Sequence, residues 1–313
     1  MLNLPQRTHI YQNHHFDSTR WDYFDSRDDD IVIATSYKAG TTWTQAIVAH
    51  LLFPGVDFPA PPAEMSPWLD MRVIPLEVVL NRLKAQQHRR FVKTHLPLDG
   101  MLYNEKNKYL YITRDARDVF MSLWNHYTGM KDEMFMLMNM LPGRAGDELP
   151  PPPNDIHDFW RNWITRGSFA WETDGWPYWS HLSNVQSWWN FRHLPNIEFF
   201  HYNDMLADTE REVRRIAAFL EIEVPEKAWA GIVKAVSFAE MKQQGELYAP
   251  GGGQFWKGGA QTFLHKGTNG RWREVFTDEE LALYDAACSR VLLPSAGIGS
   301  RTVERSDGIS VCA

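Results

Sequence analysis

The sequence predicts an α/β fold: a single domain in which a central, mainly parallel sheet is flanked by helices. Short runs rich in β-branched and aromatic residues, IVIAT (31–35), RFVKTH (90–95), KYLYITR (108–114) and IEFFHY (197–202), alternate with stretches of helical period. Each run ends in a polar cluster, and in parallel sheets ligands sit beyond the carboxyl ends of the strands. With 313 residues, 44% apolar and 13% aromatic, the chain can bury one large core.

Residues 1–30 are polar and close on the acidic run DSRDDD, which reads as a solvated lead-in. The domain proper is expected over 31–300. Its first strand runs into the turn TSYKAGTT (35–42) and then TTWTQAIVAHLLF (41–53), a helix stopped at Pro54-Gly55. Proline-rich FPAPPAEMSP (58–67) is a loop, and 75–88 is a second amphipathic helix. The strand at 90–95 stops at Leu96-Pro97. The next strand leads into the helix DARDVFMSLWNHY (115–127), and the last into TEREVRRIAAFLEI (209–222). Between these, residues 128–189 hold five methionines within 130–140, PPPP at 150–153 and seven tryptophans from Trp160 to Trp189. The segment 245–262, with PGGGQFWKGGA inside it, reads as a mobile loop, and 301–313 as a loose tail.

The formal net charge of −7 argues against a nucleic-acid binder held by its overall field. Any anionic ligand must then be captured by local groups. No stretch has the length and apolarity of a membrane span, and MLNLPQRTHIYQNHHFD lacks the apolar centre of a signal peptide. The two cysteines, Cys288 and Cys312, and twelve scattered histidines show no metal-ligand spacing, so no metal is expected. The expected location is the cytoplasm.

The turn TSYKAGTT carries the first chemical signal. Gly40 opens backbone conformations that let successive N–H groups face one anion, and the helix after it adds its own free N–H groups and dipole. Lys38 adds a point charge, Thr41 and Thr42 hydroxyls. The alternative is an ordinary βα turn with a surface lysine. In FVKTHLP (91–97), Lys93 and His95 share one face of a strand end, so a cation and a titratable base converge. In YITRDARDVFMS (111–122), Arg114 ends a strand and suits bidentate capture of a phosphate, with Ser122 in the following helix. FLHKGTNGRW (263–272) is another basic glycine turn.

Together these segments resemble the PAPS-dependent sulfotransferases of the cytosolic type, PAPS being 3′-phosphoadenosine 5′-phosphosulfate. The resemblance runs from about residue 24 to 277. TSYKAGTTW is similar to the family's 5′-phosphosulfate loop, usually TYPKSGTTW. KTHLP is similar to the segment carrying its catalytic histidine, YITRDARDVFMS to its 3′-phosphate segment, and HKGTNGRWREVFT to its late RKGxxGDWKxxFT block. The resemblance implies a P-loop-like fold with PAPS as sulfuryl donor, PAP (3′,5′-ADP) as product, and no metal. It implies that Lys38, Ala39, Gly40, Thr41 and Thr42 hold the phosphosulfate, and that Arg114, Ser122, His265, Lys266 and Gly267 hold the 3′-phosphate. Trp43, Phe238 and Tyr202 would surround the adenine. His95 would be the general base, Lys38 would meet charge on the bridging oxygen, and Lys93 would hold the sulfuryl oxygens.

Three departures from the family pattern stand out. His265 replaces the usual arginine, which makes one 3′-phosphate contact weaker or pH-dependent. Arg271 replaces the usual aspartate. The dimer motif KxxxTVxxxE is mostly lost, with Arg273, Thr277, Asp278 and Ala282 at its positions, so that dimer is not expected and the oligomeric state stays open.

The implied partner is a small-molecule hydroxyl acceptor, a largely apolar phenol or alcohol, with 128–189 as an acceptor-side insertion. Met134 and Met138 read equally well as the buried face of a helix. Trp68 and Phe135 are the pocket candidates. A P-loop kinase would want GK[ST] order and an acidic magnesium partner where KYLYIT instead ends in Arg114. A non-catalytic PAPS or PAP sensor would not need His95, Lys93 and Lys38 together. Sulfation followed by elimination, giving a dehydration product, is a further alternative.

Overall fold

A computed structural model of the chain describes residues 4–292. All four expected strands form: β1 (Ile31–Thr35), β2 (Phe91–Thr94), β3 (Lys108–Thr113) and β4 (Ile197–His201). They pair in parallel in the order β2-β1-β3-β4. A parallel sheet is covered on both faces, and the strands' alternation divides their side chains between two cores. Val32, Ala34, Val92, Tyr109 and Tyr111 enter one core. Ile31, Ile33, Phe91, Leu110 and Ile112 enter the other.

The longer helices are α1 (Thr41–Leu52), α2 (Leu76–Ala85), α3 (Ala116–Gly129), α4 (Asp132–Met140), α5 (Ile156–Thr165), α6 (His181–Trp189), α7 (Thr209–Phe219) and α8 (Asp278–Val291). Helices α1 and α7 cover one face through Ile47, Val48, Val213 and Ile216. Val119, Phe120 and Leu123 of α3, with residues of α5, α6 and α8, cover the other. Because β1 lies between β2 and β3, the chain winds first one way from β1 and then the other. Such a switch point leaves a crevice beyond the strands' carboxyl ends, which is where the turn 35–42 and Arg114 lie.

Three expectations change. Residues 11–21 and Asp30 are not a solvated lead-in, whereas 22–29 stay exposed or half-buried. Phe16 is wholly buried against Trp179, with ring centroids 4.4 Å apart, and Tyr11 and Trp21 are buried with it. The polar residues among them are satisfied internally: Asn13 accepts from the backbone N–H of His15 at 2.8 Å and of Phe16 at 3.1 Å. Asp30, the last of the acidic run, makes a buried pair with Arg90 at 2.5 Å. Second, the tryptophans of 128–189 are mainly core, with Trp160, Trp163, Trp188 and Trp189 fully buried. Third, 245–262 is folded into helical turns at Gly245–Tyr248, Pro250–Gly253 and Gly259–Phe263, with Trp256 buried.

At the positions of the lost dimer motif, Thr277 instead caps α8, in a reciprocal capping box with Glu280. The tail 301–313 lies outside the described residues. Among the described residues no helix is long and apolar enough to cross a membrane.

Candidate active site

A cavity of about 610 Å³ opens beyond the carboxyl ends of β1, β2 and β3. At one end lies the turn after β1. Lys38 adopts φ 65° and Gly40 φ 123°, and a Cβ on Gly40 would come within 3.1 Å of the Tyr202 ring. Only glycine takes up that conformation and spacing without strain. Gly40 is also the N-cap of α1 and places no side chain over the helix N-terminus, so its first N–H groups remain free for a ligand. Lys38, Gly40, Thr41 and Thr42 line the cavity, while Ala39 is buried beneath them.

The strand end at Arg114 completes this side. Its guanidinium lies 4.2 Å over the Tyr202 ring and donates to Asn269 Oδ1 at 2.6 and 3.0 Å and to the Thr268 carbonyl at 3.1 Å. Those contacts fix its plane. Ser122, two turns along α3, faces the same space. The turn 265–267 closes against it: Gly267 has φ 66°, and a Cβ there would lie 2.4 Å from the Phe238 ring. His265, Lys266, Gly267 and Phe238 all line the cavity. Trp43 is pinned by its Nε1–H donating to the Val236 carbonyl at 2.8 Å, and meets Tyr202 edge-on at 5.3 Å.

Between this region and an apolar one sits His95. Its Nδ1 is 3.0 Å from both the Thr35 carbonyl and the Thr35 hydroxyl. Donation to that carbonyl puts the ring proton on Nδ1 and leaves a basic Nε2 for a ligand in the cavity. Trp68 meets the ring edge-on at 4.7 Å, donates from Nε1 to Asp70 at 2.6 Å, and lies under Lys93, whose Nζ is 5.3 Å from its centroid. Beyond His95 the walls turn apolar, with Met71, Val73, Ile74, Met130, Met134 and Met138.

The electrostatics are those of cations crowded in a buried place. Burial first, then Arg114 and Lys93, push the Lys38 ammonium down to about 7. Burial pushes Lys93 down to about 8, against the pull of Asp70. Burial and then the Lys93 charge push His95 down to about 3. Charges of one sign crowded in a place of low polarity favour their neutral forms, and a bound anion reverses this.

The cavity thus gathers every candidate site residue named from the sequence except Ala39 and Phe135. Phe135 is a correction: it turns into the core, its ring 5.5 Å from Tyr127. On the same helix, one turn apart, Met134 and Met138 are both buried and cavity-lining, so the two readings of them coincide. Several polar residues at the site went unremarked or were noted only as departures. Tyr37, His126, His15 and Arg271 all line it. A signal existed for two of them, since Tyr37 stands in the middle of the loop motif where proline is usual, and His126 lies one turn beyond Ser122.

Fold and site together define an enzyme that transfers a group from an anionic donor, and the chain belongs to the sulfotransferase domain family, matched over residues 28–295. It is 30% identical over 290 residues to the glycolipid sulfotransferase of Mycobacterium bovis (strain BCG / Pasteur 1173P2), with 88% of each chain covered. Among solved structures, mouse sulfotransferase SULT7A1 complexed with PAP has the same fold, with TM-score 0.65 at 22% identity over 88% of this chain and 89% of that one. So does retinol dehydratase in a complex with retinol and PAP, with TM-score 0.65 at 23% identity over 90% of this chain and 86% of that one.

Proposed function

We propose that the protein moves the sulfuryl group of PAPS onto the hydroxyl of a small, largely apolar phenol or alcohol and releases PAP. The observation that carries this reading is that His95, with Nδ1 committed and Nε2 free, faces the same cavity as the cationic turn 38–42. The residues fit PAPS. Two glycines pack so closely that Cβ atoms would strike Tyr202 or Phe238, and Lys38, Lys93 and Arg114 converge with their basicity depressed. When bound, PAPS supplies an electrophilic sulfur and a phosphate leaving group.

The residues divide the work. His95 takes the acceptor's hydroxyl proton at Nε2 as the oxygen bonds to sulfur. Lys38 meets the charge that appears on the bridging oxygen as the S–O bond breaks. Lys93 holds the sulfuryl oxygens. Burial is the largest cause of the depressed basicity of His95, and the Lys93 and Lys38 charges, which a bound donor would offset, add to it. Arg114, Ser122 and His265–Gly267 hold the 3′-phosphate. Burial and then Arg271 push His265 below the ordinary histidine range. Arg271 then supplies the cation that the usual arginine would. The six apolar lining residues support an apolar acceptor.

Release of PAP from PAPS, measured with a panel of phenols and alcohols on wild type and His95→Ala, tests the reading. Acceptor-dependent release that vanishes in the variant supports it. No release together with no binding of PAP would sink it.

A further inference from the structure

The mechanism leaves two of the cavity's polar groups unused, and they are bonded to each other. Tyr37 Oη lies 2.7 Å from His126 Nε2, and His126 Nδ1 lies 3.2 Å from Lys38 Nζ. Tyr37 is held in place by stacking on Tyr178, with centroids 5.1 Å apart and planes 20° apart, and it meets His95 edge-on at 5.3 Å. It is the residue beside Lys38 in the loop, and its ring also meets that of His95.

The proton inventory of this chain of three groups gives each a direction. While Lys38 carries its charge it has only hydrogens to offer, so His126 Nδ1 must accept. Burial keeps His126 neutral, well below the ordinary histidine range, and the charges of Lys38 and Lys93 with the nearby His15 and His95 act in the same sense. A neutral ring that accepts at Nδ1 carries its proton on Nε2, and that N–H donates to the Tyr37 oxygen. The hydrogen of Tyr37 is then left over. No other hydrogen bond is made by this hydroxyl among the described residues, and Tyr37 lines the cavity. A polar hydrogen in a largely apolar pocket is satisfied by what binds there.

We infer that Tyr37 is a specificity-determining residue and His126 its positioning residue, together selecting acceptors that carry a second oxygen beside the reacting hydroxyl, as in a vicinal diol, a catechol or a sugar ring. The inference rests on the sulfotransferase reading above. The second oxygen accepts from Tyr37 while the first gives its proton to His95. Donor and acceptor sites are linked by the same relay, since an anion that holds Lys38 charged also holds His126 in the tautomer that frees the Tyr37 hydrogen.

The test uses a matched pair of acceptors, 2-naphthol and 2,3-dihydroxynaphthalene, titrated onto the protein–PAP complex and followed by tryptophan fluorescence. PAP affinity is measured on the same samples. Wild type is expected to bind the diol about tenfold more tightly, the worth of one added hydrogen bond. In Tyr37→Phe, which keeps the stacked ring, and in His126→Phe the ratio falls to about one. In His126→Gln, which keeps a donor for Tyr37, part of the preference returns. Normal PAP binding with no preference in wild type, with neither naphthol bound, or with the preference intact in Tyr37→Phe would overturn this inference alone. If PAP fails to bind wild type, the donor reading falls and this inference falls with it.

Discussion

At the cationic end of the cavity the lining groups come from the short runs 38–43, 114–122 and 265–271 together with Tyr202 and Phe238, and several are glycines or backbone. At the acceptor end they come from His15, Tyr37, Trp68, His95, His126 and the methionines of α4, which only folding brings together. A phosphate demands particular backbone conformations and fixed charges, so its site is written as contiguous motifs. An apolar acceptor demands a volume with a few polar points in it, and many combinations of side chains supply that. The cationic end is therefore written in contiguous motifs, and the apolar end is assembled piece by piece.

The comparison can be broken first at the N-terminal segment, which builds the acceptor side from the core outward. Phe16→Ala removes a wholly buried ring and is expected to cost about 3–5 kcal/mol, read by denaturant unfolding. If residues 11–21 were a detachable lead-in, stability would hardly move. Next in size is Lys38→Ala. Loss of a fixed donor to the breaking S–O bond should lower turnover by about 10²–10³-fold, read by steady-state kinetics with PAPS saturating. Third, Arg114→Gln removes the cation proposed to hold the 3′-phosphate, so PAP affinity should fall about 10–100-fold while affinity for adenosine 5′-phosphate stays nearly level.

A smaller effect sharpens the electrostatic side. An anion beside Lys38 raises its pKa from about 7, so binding takes up a proton wherever the free site has already lost one. PAP affinity is expected to be level below about pH 7 and to fall about tenfold per pH unit above it. The fall steepens above about 8 as Lys93 also deprotonates. Calorimetric titration of PAP across that range reads it, and a flat or rising affinity would contradict the picture of uncompensated cations. Gly267→Ala places a methyl 2.4 Å from the Phe238 ring at φ 66° and should cost about 1–3 kcal/mol in PAP affinity or stability.

The same contrast governs what the sequence discloses. All four strands were legible because a buried parallel strand is a short apolar run, and the residues of the cationic turns could be named because Gly40, Arg114 and Gly267 sit in fixed local contexts. Residues 11–30 were not. Their polar composition conceals Asn13, His14 and Asp30, which are buried and bonded internally, while the informative aromatics Tyr11, Phe16 and Trp21 are too sparse to show a period. The tryptophans of 128–189 suggest a pocket by composition, but their large volumes fill the core under α5, α6 and α8. Phe135 and Met134 are neighbours on α4, and sequence alone does not say which of two adjacent residues on a short helix meets the cavity. Tyr37 and His126 were in plain view within recognised motifs, but their meaning lies in a contact across 89 positions.

The account depends most on the claim that the cationic end of the cavity is shaped for a nucleotide bearing a 3′-phosphate. Calorimetric titration of the wild-type protein with PAP and, separately, with adenosine 5′-phosphate measures this directly. Arg114, Arg271 and the 265–267 turn are expected to make PAP bind at least about a hundredfold more tightly, the equivalent of two charge-assisted contacts. Equal affinities, or no binding of PAP, would contradict the account.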